Sequence, residues 1–201
     1  MGGTANDMVR SAVEAVLGGD VELASRVVAT DDEVDATERE TIQKAVVTVM
    51  QETPVAGDLR MLMATLGTVG EIEKVADDAV KLARRATKLQ GHFPFEMKVA
   101  LQAMGEQARH MFGSSLRLYG GFTKELADEI VNADEDVDSA YSLARNRVIA
   151  LIQENPAETK HLIRTIEAFH ALEHVADHSV EIARRMRLLY DSTSSSGFAA
   201  S

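Results

Sequence analysis

Residues 71–85 read EIEKVADDAVKLARR, and residues 171–185 read ALEHVADHSVEIARR; eight of the fifteen positions are identical at an offset of 100. The shared Val75/Val175, Ala76/Ala176, Val80/Val180 and Ala83/Ala183 recur at helical spacing, so each segment is an amphipathic helix with one apolar stripe. A chain that states the same helix twice, a hundred residues apart, is constrained to pack two copies of one helical unit. The repeat also preserves Glu73/Asp77 as Glu173/Asp177, a pair of like charges one turn apart that apolar packing does not require.

Punctuation along the chain divides it into six helices. The spacing predicts a short first helix from about Asp7 to Leu17, stopped by Gly18-Gly19, and a long second one to Glu52, stopped at Thr53-Pro54. A third follows to Leu89 before Gly91-His92-Phe93-Pro94, a fourth spans about Phe95–Tyr119, and a fifth runs from Thr123 to Glu154. The sixth is expected to start at Asn155-Pro156, with Asn155 as N-cap and Glu158 closing a capping box, and to continue to about Tyr190. Short connections favour antiparallel neighbours, hence an all-α fold of two tandem, pseudo-symmetric three-helix bundles, residues 1–91 and 92–190. The tail, 191–201, offers nothing to bury and is expected to be disordered.

Composition narrows the function. A net charge of −11 disfavours a nucleic-acid backbone as partner, and the absence of Trp with 4% aromatics removes the stacking platforms that single strands use. With no cysteine there is no disulfide or thiolate site, and a reducing cytoplasm is the natural compartment. MGGTANDMVR lacks the pattern of a signal peptide, and no apolar run is long enough for direct membrane insertion.

Acidic i,i+4 pairs are not rare in such a chain: there are seven, against about five expected from random placement of 32 Asp and Glu among 201 residues. Their arrangement is more telling than their number. Asp31/Asp35 and Asp134/Asp138 occupy matched places in the second and fifth helices, as Glu73/Asp77 and Glu173/Asp177 do in the third and sixth. The last two pairs lie off the apolar stripe, towards solvent, while Asp134 and Asp138 sit at the rim of theirs. Were these helices neighbours, four carboxylates would converge on each bundle across a shallow external groove. Clustered oxygen ligands suit Mg²⁺, Mn²⁺, iron or Zn²⁺. A solvated acidic face, with Arg84, Arg85 or Lys74 as ion-pair partners, is the competing account.

The segments ETPVAGDLRMLMATLGTVGEIEKVADDAVKLARRA (52–86) and ALEHVADHSVEIARRM (171–186) resemble the PhoU family of phosphate-uptake regulators. The similarity spans both repeats, about Met8 to Tyr190, and its most specific parts are Pro54–Arg60 and the Glu-x-x-x-Asp motifs. The resemblance implies multinuclear iron or zinc clusters on the bundle surfaces, held by Asp31, Asp35, Glu73 and Asp77 in one bundle and by Asp134, Asp138, Glu173 and Asp177 in the other. It also implies a regulator and not an enzyme: a homodimer at the inner face of the membrane, contacting a phosphate ABC transporter ATPase subunit and a sensor histidine kinase. Departures from the family's usual Leu-Glu-Arg occur at Ile-Glu-Lys (72–74) and Leu-Glu-His (172–174), and Asp78 stands where the second copy has His178.

Other readings remain at this stage. A helical diiron enzyme needs two inward-facing Glu-x-x-His motifs, and the chain has one, Glu167 with His170. His170, His174 and His178 form an i,i+4 row that is either solvated or metal-binding, with His178 a candidate outer ligand of the second cluster. A metal-free helical adaptor is also compatible. No Gly-rich phosphate loop or Ser/His/Asp set is present.

Overall fold

Six α-helices make up nearly all of residues 1–196, the part of the chain that the computed structural model describes. They are α1 (Gly2–Gly18), α2 (Val21–Glu52), α3 (Ala56–Leu89), α4 (Lys98–Gly120), α5 (Lys124–Glu154) and α6 (Thr159–Ser196), with single 3₁₀ turns at Phe95–Met97 and Pro156–Glu158. No strand occurs among the described residues. The expected breaks fall where backbone chemistry puts them. Gly19 takes a left-handed φ of 65° after α1, and its N–H and that of Asp20 close the helix end on Val16 and Ala15. Asp20 then caps α2, its Oδ1 accepting from the Leu23 N–H at 2.8 Å. Thr53 (φ 45°) and Pro54 end α2.

Three boundaries differ from the sequence-based expectation. The first helix starts at Gly2, because Ala5, Met8 and Val9 are fully buried and packing outweighs the poor helix propensity of the Gly pair. At the start of α6 no capping box forms: Asn155 caps nothing with its side chain, and Glu158 instead meets His161 Nδ1 at 2.8 Å. The tail expected to be disordered from 191 is helical through Ser196, and residues 197–201 lie outside the described residues.

Helices α1–α3 pack on one another, as do α4–α6, giving two three-helix bundles. The bundles are joined along α3 against α6 and α1 against α4, the pairing a two-fold relation between the repeats would produce. The buried apolar residues form one continuous core that includes Leu82, Leu101, Phe112, Phe169, Leu172 and Ile182, so the two repeats share an interior. Close approach at the seam depends on glycine. A β-carbon on Gly105 of α4 would lie 2.9 Å from Val13 Cγ2 of α1 and 3.7 Å from Leu172 of α6.

Helix lengths leave one end of the first bundle uncovered. The 17 residues of α1 span about 25 Å, against about 50 Å for the 32 and 34 residues of α2 and α3. The far ends of α2 and α3 therefore expose Val46, Met50, Val55, Leu59, Met61 and Met63.

Candidate metal centres and the seam between the repeats

Each acidic quartet is assembled by a pair of packed helices, α2 with α3 and α5 with α6. Within the first, burial and then the charges of Asp35, Asp77 and Asp32 push the Asp31 carboxyl above its usual value, with Arg84 opposing. Glu73 is raised by burial, then by Asp77, Glu38, Asp35 and Asp31. Within the second, burial, Asp138 and Asp177 raise Asp134, opposed by Arg184. Glu173 is raised by burial first and then chiefly by Asp177, with Asp138 and Asp134 adding to it and His174 acting against it. All eight carboxylates predicted from the sequence are thus gathered four to a bundle, close enough to repel across the helix–helix groove. Asp77, Asp138 and Asp177 are exposed, while the other five are half-buried. Asp35 has a cation nearby, Arg39 Nη1 at 3.4 Å.

The second quartet carries the features of a metal site. Asp134 Oδ1 and Glu173 Oε2 are both shut off from solvent and accept no hydrogen bond. A carboxylate oxygen in that state costs free energy unless a cation or a hydrogen-bond donor completes it. The groups fit: hard oxygen ligands, crowded, desolvated and short of donors.

The histidine row divides. His178 turns away from the quartet and into the seam, where its Nδ1 lies 2.9 Å from Glu71 Oε2 and its Nε2 3.3 Å from Asp78 Oδ2. It is therefore not an outer ligand of the second cluster, as its place beside Asp177 had suggested. His170 and His174 remain beside Glu173, their Nε2 atoms 3.7 and 3.8 Å from its Oε2. Glu167, the acid of the lone Glu-x-x-His motif, pairs with Arg85 of α3 at 3.2 Å and forms no inward-facing cage.

Sequence reasoning missed the two buried acids of the seam, Glu71 and Asp78, the latter 1% exposed. Asp78 Oδ1 accepts from Lys81 Nζ at 2.8 Å, and Glu71 takes Lys74 at 3.2 Å and Arg185 of α6 at 3.3 Å. Burial opposes the charges, but the hydrogen bonds outweigh it, so Asp78 lies below its ordinary value and His178 above. The sequence held only a trace of them: Glu71, Val75, Asp78 and Leu82 lie on one stripe at spacings of four, three and four, but nothing on α3 itself says what covers it.

The contacts across the seam are reciprocal. Asp78 and His178, at the offset of 100, touch each other. Arg85 reaches Glu167, and its counterpart Arg185 lies over Gly67, the counterpart of Glu167, where any β-carbon would overlap the guanidinium.

The family model described as "PhoU domain" matches residues 1–86 and again residues 101–186. The chain belongs to the PhoU family. Among curated PhoU proteins, the "phosphate-specific transport system accessory protein PhoU homolog" of Pseudomonas aeruginosa is 30% identical over 185 residues, covering 91% of this chain and 76% of that one. The homologue from Pseudomonas putida is 29% identical over 185 residues, 91% of this chain and 72% of its own. The crystal structure of PhoU from Pseudomonas aeruginosa superposes with a TM-score of 0.90 at 28% identity, covering 96% of this chain and 92% of that one. A PhoU from Streptococcus pneumoniae, 19% identical with a TM-score of 0.85 over 94% of this chain and 89% of its own, shares the fold. The two PhoU matches reproduce the offset of 100 read from the repeated helix.

Proposed function

We propose that the chain is an accessory regulator of phosphate-specific transport that acts by binding other proteins and not by catalysis. The observation that carries this reading is the presence of two PhoU repeats in a chain whose curated relatives are named as phosphate-transport accessory proteins. In this reading it restrains phosphate uptake and starvation signalling by contacting a transporter ATPase subunit and a sensor histidine kinase, as a homodimer on the cytoplasmic side of the membrane. No helix among the described residues is long and apolar enough to cross a membrane, so membrane association would run through the partners.

Multinuclear iron or zinc clusters, with manganese or magnesium as alternatives, would be held by Asp31, Asp35, Glu73 and Asp77 and by Asp134, Asp138, Glu173 and Asp177. The unpartnered Asp134 Oδ1 and Glu173 Oε2 support this. The metal would supply positive charge that offsets the like-charge repulsion and ties α2 to α3 and α5 to α6.

Two measurements test the reading. Removing the protein, together with any paralogue, is expected to raise a phosphate-starvation reporter in high phosphate; an unchanged reporter would refute the regulatory role. Metal content of protein purified without chelator should fall in Asp77→Ala/Asp177→Ala; equal content would refute the clusters.

A further inference from the structure

We infer that His170, Glu173 and His174 form a nitrogen-containing zinc site of their own on α6, a site that the first bundle lacks. One ligand atom from each residue lies within 4.8 Å of the others, in a group contributed by just over one turn of a single helix. Both imidazole Nε2 atoms face the same carboxylate oxygen, Glu173 Oε2, at 3.7 and 3.8 Å. Donors each about 2.0–2.1 Å from a tetrahedral zinc lie roughly 3.3 Å apart, so each imidazole has to close on Glu173 Oε2 by about half an ångström, and the three ligand atoms, already within 4.8 Å of one another, have to draw together. That oxygen is desolvated and accepts no hydrogen bond, which leaves it available as a ligand.

The surroundings of the two rings point the same way. His174 turns its other nitrogen, Nδ1, towards buried Asp78 Oδ1 at 3.6 Å. That carboxylate is beyond hydrogen-bond distance but lies on the Nδ1 side of the ring, away from the proposed metal. His170 is held on its other side by the Tyr141 ring, centroids 5.6 Å apart.

A second group of comparable size, His92, Glu158 and His161, is less suited. There Glu158 is already hydrogen-bonded to His161 Nδ1 at 2.8 Å, and the two rings are stacked on each other.

In the first repeat the positions of His170 and His174 are Gly70 and Lys74. Glu73 is therefore flanked by no imidazole, and Lys74 is drawn to Glu71. Imidazole with carboxylate suits zinc over magnesium or calcium, whereas an all-oxygen quartet does not discriminate that way. The inference shares Glu173 with the proposed second cluster but needs none of Asp134, Asp138 or Asp177, and the test separates the two.

Metal-free full-length protein is titrated with Zn²⁺ in millimolar Mg²⁺, and the bound zinc is examined by X-ray absorption for imidazole ligation. Asp134→Asn/Asp138→Asn/Asp177→Asn is expected to keep a tight zinc with imidazole ligands, and His170→Ala/His174→Ala to lose it with at least a tenfold weaker affinity. Far-UV circular dichroism checks that both variants are folded. Unchanged zinc affinity in the histidine variant, or zinc with oxygen ligands alone in the triple variant, would overturn the site. The cluster reading fails separately, if the triple variant binds as much total iron or zinc as the unaltered protein.

Discussion

His178 Nε2 lies 3.3 Å from Asp78 Oδ2, and the two residues hold the same position in the two repeats. This pair, with Glu71 on the other nitrogen of the ring, couples α3 to α6 through buried charge, beside the Arg185–Glu71 and Arg85–Glu167 pairs of the same seam. His178→Ala leaves two desolvated carboxylates short of a partner, although Lys81, Lys74 and Arg185 remain. The expected loss is about 1–3 kcal/mol of unfolding free energy, measured by urea titration. A double-mutant cycle with Asp78→Asn should show non-additivity, because the two changes remove one interaction.

The same pair sets a pH dependence. Burial opposes the charge on His178, but hydrogen bonds to Asp78 and Glu71 hold its pKa above the ordinary 6.5. Its contribution is therefore complete below about pH 6.5 and is lost as pH rises through the raised value. Asp78 is held below 3.8, so its contribution is present above that value and is lost as pH falls through the lowered one. The stability difference between the unaltered protein and His178→Phe should peak between about pH 4 and 6.5 and shrink on the alkaline side. A difference that grows from pH 6 to 9 would contradict the assignment.

The acidic quartets should destabilise the metal-free protein. Asp31, Glu73, Asp134 and Glu173 are raised, so their unfavourable contribution sets in as pH climbs through the carboxylate range. Asp134→Asn, in chelator at neutral pH, removes an i,i+4 repulsion of roughly 0.2–0.5 kcal/mol. The midpoint should rise by about 0.5–2 °C in a chain of this size. With saturating metal the order should reverse, which differential scanning calorimetry can follow.

Two glycines should respond oppositely to substitution. Gly105→Leu drives a side chain into Val13 and Leu172 where α1, α4 and α6 meet, and is expected to cost about 1–3 kcal/mol. Gly70 sits inside α3 with no atom near a built β-carbon, so Gly70→Ala should gain about 0.5–1 kcal/mol. Thermal melts of both variants decide it.

That open space also permits a transplant. Gly70→His with Lys74→His sets two imidazoles around Glu73 as His170 and His174 surround Glu173. Imidazole-ligated zinc should roughly double per chain; X-ray absorption with zinc stoichiometry reads it, and an unchanged ratio would count against the ligand set.

How much of this was visible in the sequence depends on whether a single helix sufficed to see it. The apolar stripe of residues 72–86, the stops at Gly18-Gly19 and Thr53-Pro54, and the pairing of Asp31/Asp35 with Glu73/Asp77 all follow from spacing within one helix and its chain neighbour. Glu71 and Asp78 did not, because their burial is decided by α6, more than 80 residues later in the chain. The same reason misplaced His178: on its own helix it stands with His170 and His174, and the acids that claim it belong to α3. The first turn of α1 was missed because what holds it is tertiary: a β-carbon on Gly2 would lie against Leu116 of α4.

Joining the repeats in one polypeptide has a chemical consequence at Asp78 and His178. If two separate, identical repeats associated about a two-fold axis, a residue on that axis would face its own copy. An acid would meet an acid and a base a base, so a buried charge there would be self-defeating. Once both halves are written in one chain, the twin positions can diverge independently, one becoming the acid and the other the base that pairs with it. Asp78 with His178 is that outcome, and Gly67 yielding to Arg185 while Glu167 receives Arg85 is another. Each half is thereby fitted to its sibling and unfitted to a second copy of itself. The inheritance is still legible as symmetry, but the two halves have become complementary.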